Sequence, residues 1–189
     1  HLLGYGFDPE HPTLTQYLSD YTRRRRERLD EMIDRLAENG VEVSTASPGR
    51  PHLARALAEE GHVQSYEAAF EQYLDSGKPA YVSAPTQPAV EAMDALHEAG
   101  GVAVLAHPGQ WMPGGVLKTL REQGLDGIEC FFPSHPDYLV DYYQNICRSH
   151  DLLVTGGSDY HGHEEEEEMT LGTVGLPEPQ WERFRASAL

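Results

Sequence analysis

Asp159 and His161 are two potential metal ligands that stand two positions apart in the sequence. They follow residues 152–155, an apolar run typical of a buried strand, with Gly156 and Gly157 in between. Alternation along an extended chain places both side chains on one side, and a carboxylate with an imidazole suits zinc, manganese or iron. Because α/β proteins build active sites at the carboxyl ends of parallel strands, we predict a metal site here. The alternative is a turn aspartate beside a surface histidine.

Three other histidines stand near the ends of predicted strands. His107 follows the apolar residues 102–106, in a position that matches that of the aspartate above, and this favours a metal ligand over a purely structural histidine. His135 follows a strand predicted over residues 126–132 and could face the same cavity. His1 lies beside a short apolar stretch, and on its own it would be an ordinary terminal residue.

Phosphate binding is a second possible chemistry, in the stretch before these strands. Arg50 and His52 flank Pro51, a residue typical of the first turn of a helix. A helix N-terminus with a cation beside it is a natural phosphate site. Lys78 is a similarly isolated cation. On these residues alone, an ordinary helix start with solvent-facing polar groups is the simpler interpretation.

The pattern around these residues indicates an α/β protein. Residues 101–159 alternate short apolar runs with helical stretches, which predicts βαβ units and a parallel sheet. Residues 9–82 instead carry three helical patterns and almost no strand signal. We therefore predict an α/β domain formed by residues 1–8 and 83–189, with residues 9–82 inserted as a helical subdomain.

The overall charge limits the classes of partner. The chain has 189 residues and a formal net charge of −17 at pH 7. An extended nucleic-acid surface needs basic residues to neutralise phosphates, so we expect no duplex nucleic acid as a partner. A small phosphorylated ligand stays open because bound metal ions reverse the local field. The arginine run at residues 23–26 is interpreted as a solvated helix face.

The cysteine content and hydropathy predict where the chain functions. Only two cysteines occur, and neither a disulfide framework nor a zinc-finger spacing can be drawn from them. No apolar run is long enough for a membrane span. We therefore expect a cytoplasmic protein without a membrane partner.

Five short segments occur together, in sequence order, and carry a resemblance. They are His1-Leu-Leu-Gly4, Gly49-Arg-Pro-His-Leu-Ala54, Gly100-Gly-Val-Ala-Val-Leu-Ala-His-Pro108, Gly124-Leu-Asp-Gly-Ile-Glu129 and Gly156-Gly-Ser-Asp-Tyr-His-Gly162. Together they resemble the PHP (polymerase and histidinol phosphatase) metal-dependent phosphoesterases. Within that family the chain is most similar to the TrpH/YciV branch of nucleoside 3′,5′-bisphosphate phosphatases and 5′→3′ exoribonucleases of the RNase AM type.

The resemblance implies both a fold and a metal centre. The implied fold is part of a distorted (β/α)7 barrel, with a helical insertion over its mouth and, in a complete site, three divalent metal ions (manganese, zinc or iron). His1 and His107 are implied as ligands of one metal. Asp159 is implied as a ligand of a second metal and His161 of the third.

The resemblance also implies how substrate is held. Arg50 and His52 lie in the Gly-Arg-Pro-His element, which is expected to face the substrate, and we assign Lys78 to substrate binding with them. His135 occupies a place where this branch often has a histidine near the substrate. We therefore expect His135 to be catalytic, as the group that protonates the leaving alcohol.

The expected activity is hydrolysis of nucleotide phosphate esters, with 3′,5′-bisphosphonucleotides or short oligoribonucleotides as substrates. One alternative is a phosphatase of small metabolites, of the histidinol-phosphate or 5′-nucleotidase type. Another is a catalytically incomplete PHP-like fragment or regulatory module. That alternative arises because the family's His-x-His pair, its next histidine and its bridging glutamate do not precede His1 in the sequence. Two explanations stay open: the N-terminal part of the domain is missing from this chain, or a complementing N-terminal segment of another polypeptide supplies these ligands.

Overall fold

The computed structural model describes residues 1–84, 87–110, 112–160 and 171–188. Among these residues, no helix is both long enough and apolar enough to cross a membrane. The elements are, in chain order, β1 (Leu2–Tyr5), α1 (Pro12–Glu38), α2 (Arg50–Glu59), α3 (Tyr66–Ala69) with the π-helical turn Phe70–Leu74 that continues it, α4 (Ala89–Glu98), β2 (Val102–Leu105), α5 (Gly114–Glu122), β3 (Gly127–Phe131), α6 (Asp137–His150), β4 (Leu153–Gly156) and α7 (Glu178–Ala188).

The chain divides into two compact units. The sheet unit comprises His1–Thr15 together with Pro88–Leu189, and the helical unit comprises Gln16–Gln87. Each unit has its own cluster of buried apolar side chains. That the helical unit is an insertion into a barrel stays a prediction, as do the domain boundaries expected from the sequence.

The four strands form one sheet in the order β1-β2-β3-β4. β2, β3 and β4 are parallel to one another, as the predicted βαβ units require. β1 runs antiparallel to β2, with Leu2 opposite Leu105 and Tyr5 opposite Val102. The predicted α/β fold is therefore confirmed, whereas closure into a (β/α)7 barrel stays a prediction.

Helix α6 covers the middle of this sheet. It buries Leu139, Tyr143 and Cys147, which recur every four residues and so lie on one face of the helix. That face belongs to the same buried cluster as Ile128 and Cys130 of β3. Cys130 and Cys147 are free thiols whose Sγ atoms lie 3.8 Å apart. Apolar burial thus holds α6 against β3.

Asp126 anchors the strands at the edge opposite to their carboxyl ends. Its Oδ2 atom accepts the backbone N–H of Ala103 at 2.7 Å and lies 2.7 Å from Nε2 of His97. Its carbonyl oxygen accepts the N–H of Leu153 at 2.8 Å. A single residue therefore links the beginnings of β2, β3 and β4. This aspartate of the Gly124–Glu129 segment supports the fold, because it lies just before β3 and away from the carboxyl ends of the strands.

The helical patterns predicted for residues 9–82 are confirmed. Helix α1 buries Leu29, Met32 and Leu36, which recur at helical spacing, and α2 buries Leu53 and Leu57. All five side chains are almost inaccessible to solvent and belong to one cluster. This cluster is the core of the helical unit.

Two glycine-to-alanine substitutions test the tightness of the sheet. A Cβ atom on Gly127 would lie 2.9 Å from the carbonyl oxygen of Leu153 and 3.0 Å from Val104, so neighbouring strands would have to separate. We expect Gly127→Ala to lower the free energy of unfolding by about 1–3 kcal/mol. Gly115→Ala in α5 is the control, because a Cβ there meets nothing within 4 Å.

Gly115→Ala should raise the free energy of unfolding by about 0.5 kcal/mol, since alanine favours helix more than glycine does. Urea-induced unfolding of both variants measures the difference. Equal effects of the two substitutions would contradict the close strand packing around Gly127.

Candidate active site

The pairing of β1 with β2 places His1 next to His107. Because β1 is antiparallel, its first residue lies at the carboxyl end of β2, where the N–H of Ala106 donates to the carbonyl of His1 at 3.1 Å. Nδ1 of His1 is 3.3 Å from Nε2 of His107, and the two rings meet edge to face. Two residues that are 106 positions apart in sequence thus bring their ring nitrogens together.

Asp159 lies beside this pair, after β4. Its Oδ2 atom is 3.9 Å from Nε2 of His107, and its side chain is 40% exposed. Both residues have positive φ angles, 25° for His107 and 53° for Asp159, although neither is a glycine. Such backbone is strained, and for His107 the following Pro108 adds a further restriction. Strain of this kind concentrates at functional sites.

Glu129 is a site residue that the sequence reasoning missed. It lies in β3, its side chain is only 5% exposed, and its Oε2 atom accepts the backbone N–H of His107 at 2.8 Å. Burial raises the pKa of this carboxyl above its ordinary value, and the hydrogen bond from His107 only partly opposes that effect. The signal in the sequence is an acidic residue inside the otherwise apolar strand Gly127–Phe131.

His135 is held by backbone groups in the loop after β3. It is 8% exposed; its Nδ1 lies 2.9 Å from the carbonyl of Cys130, to which it donates, and its Nε2 accepts the N–H of Gly109 at 3.3 Å. The ring of Phe132 lies between it and His107, at 5.3 Å and 5.1 Å between ring centres.

His135 also lines a cleft of about 610 Å³ between the loops that follow β2 and β3. Gly109 and Gln110 line the cleft on one side, and Ser134 and Tyr138 line it on the other. The Tyr138 hydroxyl donates to the side-chain oxygen of Gln110 at 3.0 Å. A cleft of this size has room for a small organic ligand.

The donor atoms fit a divalent metal ion. Two nitrogens that are each about 2.1 Å from a tetrahedral zinc ion lie about 3.4 Å apart, and the His1–His107 separation is 3.3 Å. Nitrogen with carboxylate oxygen from Asp159 is a donor set for zinc, manganese or iron. Within the described part of the chain, no three His, Cys, Asp or Glu side chains are grouped closely enough to hold a metal ion by themselves. The two histidines and Asp159 are therefore a partial donor set.

The other predicted site residues lie elsewhere. His161 lies outside the described residues. Arg50, His52 and Lys78 belong to the helical unit, where Arg50 and His52 stand in the first turn of α2 and Lys78 is exposed. The Arg50 guanidinium lies over the rings of Phe70 and Tyr81. The metal, substrate-binding and catalytic roles expected for all these residues stay predictions.

Known proteins are similar to this chain in sequence and in fold, although no protein-family model matches it. The chain is 30% identical over 207 residues to a 3′,5′-nucleoside bisphosphate phosphatase of Chromobacterium violaceum, covering 100% of this chain and 73% of that protein. It is 29% identical over 200 residues to a 5′-3′ exoribonuclease of Haemophilus influenzae, covering 97% of this chain and 73% of that protein. A solved structure from Bifidobacterium adolescentis, described as a metal-dependent phosphoesterase, superposes with a TM-score of 0.80 at 26% identity.

These similarities extend over the sheet unit and the helical unit alike. The Bifidobacterium structure covers 100% of this chain, and the chain covers 71% of it. The matches include the strand ends that carry the paired histidines and the aspartate, which agrees with the family resemblance of the five sequence segments. The chain belongs to the PHP family of metal-dependent phosphoesterases.

Proposed function

We propose that the substrates of this phosphoesterase are nucleotides, with 3′,5′-bisphosphonucleotides and the 5′ ends of short oligoribonucleotides as the preferred class. One observation carries the proposal: a strained, converging set of histidine and aspartate donors lies at one edge of the sheet in a chain whose relatives carry nucleotide names. The net charge of −17 favours small or short substrates over long duplexes.

We also propose which residues hold the ions. His1, His107 and Asp159 would bind divalent manganese, zinc or iron, together with His161 and further ligands, three ions in all. Such ions, when bound, lower the pKa of a coordinated water and neutralise phosphoryl charge. Glu129 would position His107 for metal binding. Its carboxylate accepts the backbone N–H of that histidine and so holds the strained backbone at His107 in place.

Substrate contacts complete the proposal. Arg50, His52 and Lys78 of the helical unit are the candidate phosphate ligands, and His135 is the candidate proton donor to the leaving alcohol. As described, both ring nitrogens of His135 are engaged by backbone groups. Donation from Nε2 therefore requires that this nitrogen carry a proton and that the Gly109 amide, whose hydrogen bond it now accepts, give way to the substrate, a change that catalytic hydrogen bonds commonly undergo on substrate binding.

The first test is phosphate release from adenosine 3′,5′-bisphosphate with manganese, zinc or iron(II) added to chelated protein that includes the expected N-terminal segment. We expect hydrolysis that depends on the metal, and Asp159→Asn should lower its rate by about 100-fold or more, as loss of a metal-binding group does. Faster release from histidinol phosphate would support the small-metabolite alternative. No release with any metal would support the incomplete module.

Asp151→Asn is the matched control for this test. Asp151 is also a non-glycine residue with positive φ, at 56°, and asparagine tolerates that conformation. Its side chain is 97% exposed and pairs with Arg183 at the end of α6, away from the strand ends. We expect its rate to stay within about twofold of the unsubstituted protein, as for a surface ion pair. Equal losses in the two variants would remove Asp159 from the site.

His135→Gln tests proton donation by the choice of leaving group. An alcohol leaving group needs a proton, whereas p-nitrophenolate leaves without one. We expect the rate on a nucleotide substrate to fall by about 100-fold and the rate on p-nitrophenyl phosphate to change much less. Comparable losses on both substrates would show that His135 only positions the loop.

Glu129→Gln tests how much the buried carboxyl lowers the stability of the folded state in chelated protein. The raised pKa belongs to the folded state, so the unsubstituted protein loses stability as pH rises from about 4 through that pKa. Glutamine keeps an oxygen for the His107 amide and does not ionise. We expect the variant to unfold at a higher temperature near neutral pH, with a gap that closes towards about pH 4. Thermal unfolding across that range decides, and a gap independent of pH would be inconsistent with this account.

A further inference from the structure

Two thiols face each other between β3 and α6, and no step of the proposed hydrolysis uses them. Cys130 is 0% and Cys147 is 1% exposed, and their Sγ atoms lie 3.8 Å apart. A disulfide bond is about 2.05 Å long, so the sulfurs must approach by about 1.8 Å, which rotation about the two Cα–Cβ bonds covers. The chain contains only these two cysteines. An oxidised thiol therefore has a single thiol partner within the same molecule.

A buried thiol reacts only where a path reaches it, and an open cleft reaches Cys147. The cleft has a volume of about 210 Å³ and lies between α6, β4 and α7, where Val154, Gln180 and Arg183 line it together with Cys147. Drug-sized ligands occupy pockets of about 300–1,000 Å³. The size of this cleft therefore favours a molecule of only a few atoms.

The polar lining of the cleft favours a small hydrogen-bond donor. The side-chain oxygen Oε1 of Gln180 is buried and has no hydrogen-bond partner among the described residues, whereas its Nε2 donates to Oε1 of Gln144 at 3.4 Å. A buried acceptor without a partner is unfavourable. Water and hydrogen peroxide each carry two O–H donors that satisfy it, and hydrogen peroxide is little larger than water.

The two thiols are chemically unequal. The hydrogen bond from Cys130 lowers the pKa of Cys147 in spite of burial, and the positive charge of Arg183 acts in the same direction. The same hydrogen bond, and next burial, raise the pKa of Cys130. Because the thiolate is the nucleophilic form of cysteine, Cys147 is the attacking thiol. It is also the thiol that the cleft reaches.

We propose that Cys130 and Cys147 are a redox-active thiol pair, which hydrogen peroxide oxidises to a disulfide by way of the cleft between α6 and α7. The Cys147 thiolate attacks one peroxide oxygen, and the O–O bond breaks. The departing hydroxide takes up the proton that Cys147 released and becomes water, which leaves a sulfenic acid on Cys147.

The second step closes the disulfide. Sγ of Cys130 attacks the sulfenic sulfur of Cys147, the S–S bond forms, and the sulfenic hydroxyl leaves with the Cys130 proton as a second water. In sum, two thiols lose two electrons to one hydrogen peroxide, and a disulfide and two waters form.

The disulfide would act on the groups that hold His135. The carbonyl oxygen of Cys130 accepts the hydrogen bond from Nδ1 of His135 at 2.9 Å. Tyr143 lies one helical turn before Cys147 and donates to the carbonyl of Gly109, whose amide donates to Nε2 of His135. Drawing the sulfurs together displaces β3 and α6, so we expect the imidazole to shift. An effect on hydrolysis rests on the proposed role of His135, whereas formation of the disulfide does not.

The first experiment adds hydrogen peroxide to the reduced full chain with a chelator present. We expect the intact mass to fall by the two thiol hydrogens and both free thiols to disappear, and dithiothreitol should reverse both changes. Persistence of the two thiols overturns the proposal.

The same reaction in about 1 M urea tests the route. This urea concentration raises the unfolded population roughly 5- to 150-fold, whereas entry through the cleft of the folded chain should change in rate by less than about twofold. A rate that rises in proportion to the unfolded population overturns entry through the cleft.

Serine substitutions test the order of the two steps. In Cys130→Ser, peroxide should leave a sulfenic acid on Cys147, which dimedone labels. In Cys147→Ser, the remaining thiol should stay unlabelled, because it is buried and has a raised pKa. Alanine replaces serine if either variant does not fold. The opposite labelling, or equal labelling of the two variants, overturns the assigned order.

Arg183→Gln tests the charge at the cleft, and Arg185→Gln is the matched control. Both arginines belong to α7 and pair with exposed carboxylates, Arg183 with Asp151 and Arg185 with Glu182, but Arg183 lines the cleft. We expect Arg183→Gln to slow the oxidation by about threefold or more and Arg185→Gln to stay within about twofold. Equal rates in the two variants overturn the approach to Cys147 beside Arg183.

The imidazole NMR signal of His135, identified by its absence in His135→Gln, tests the link to the candidate site. We expect this signal to shift when the disulfide forms and to stay unchanged in peroxide-treated Cys147→Ser. A disulfide without a shift overturns the link. Because neither metal nor substrate is present, failure of the proposed hydrolysis leaves these results intact, and failure of the thiol pair to oxidise leaves metal-dependent hydrolysis to be judged separately.

Discussion

The antiparallel pairing of β1 with β2 is the constraint on which the candidate site depends. His1 precedes a strand and His107 follows one, so the two meet only if the strands run in opposite directions. In a parallel pair, His1 would lie at the other end of a four-residue strand, about 13 Å away. The apolar register that sets Leu2 opposite Leu105 therefore also sets the distance between two imidazole nitrogens.

The site carries several destabilising features on a well-packed sheet. His107 and Asp159 have positive φ angles, and Glu129 is a buried carboxyl with a raised pKa. Each feature costs folding free energy. The strands beneath offset these costs because α6 buries its apolar face on them and Asp126 links their beginnings. Along β2, β3 and β4, the linking aspartate Asp126 lies at the beginnings of the strands, and the candidate donors His107 and Asp159 lie after their carboxyl ends.

Periodicity and turn residues predict most elements of this fold, and the reasons for the exceptions are physical. Apolar runs identify a strand but not its direction, so the antiparallel β1 could not be read. Glu129 is one acidic residue in an apolar run, and only the register with β2 shows that it reaches His107. Helix α7 buries only Phe184 and Ala188, which is too narrow a face to produce a periodic signal. The histidine and aspartate donors were visible because their residue types and positions after strands are local properties.

Charge acts over two distances in this molecule. At long distance the negative net charge dominates, whereas at short distance the positive arginine side chains do. The net charge of −17 repels polyanions at a distance, but salt screens such fields beyond roughly 8 Å under physiological conditions. Within that distance the local partners decide. Arg23 faces carboxylates and adds no local field, whereas Arg25 and Arg28 face carbonyl oxygens and each other. An acidic chain can therefore keep a local positive field where its arginines donate to carbonyl oxygens and not to carboxylates.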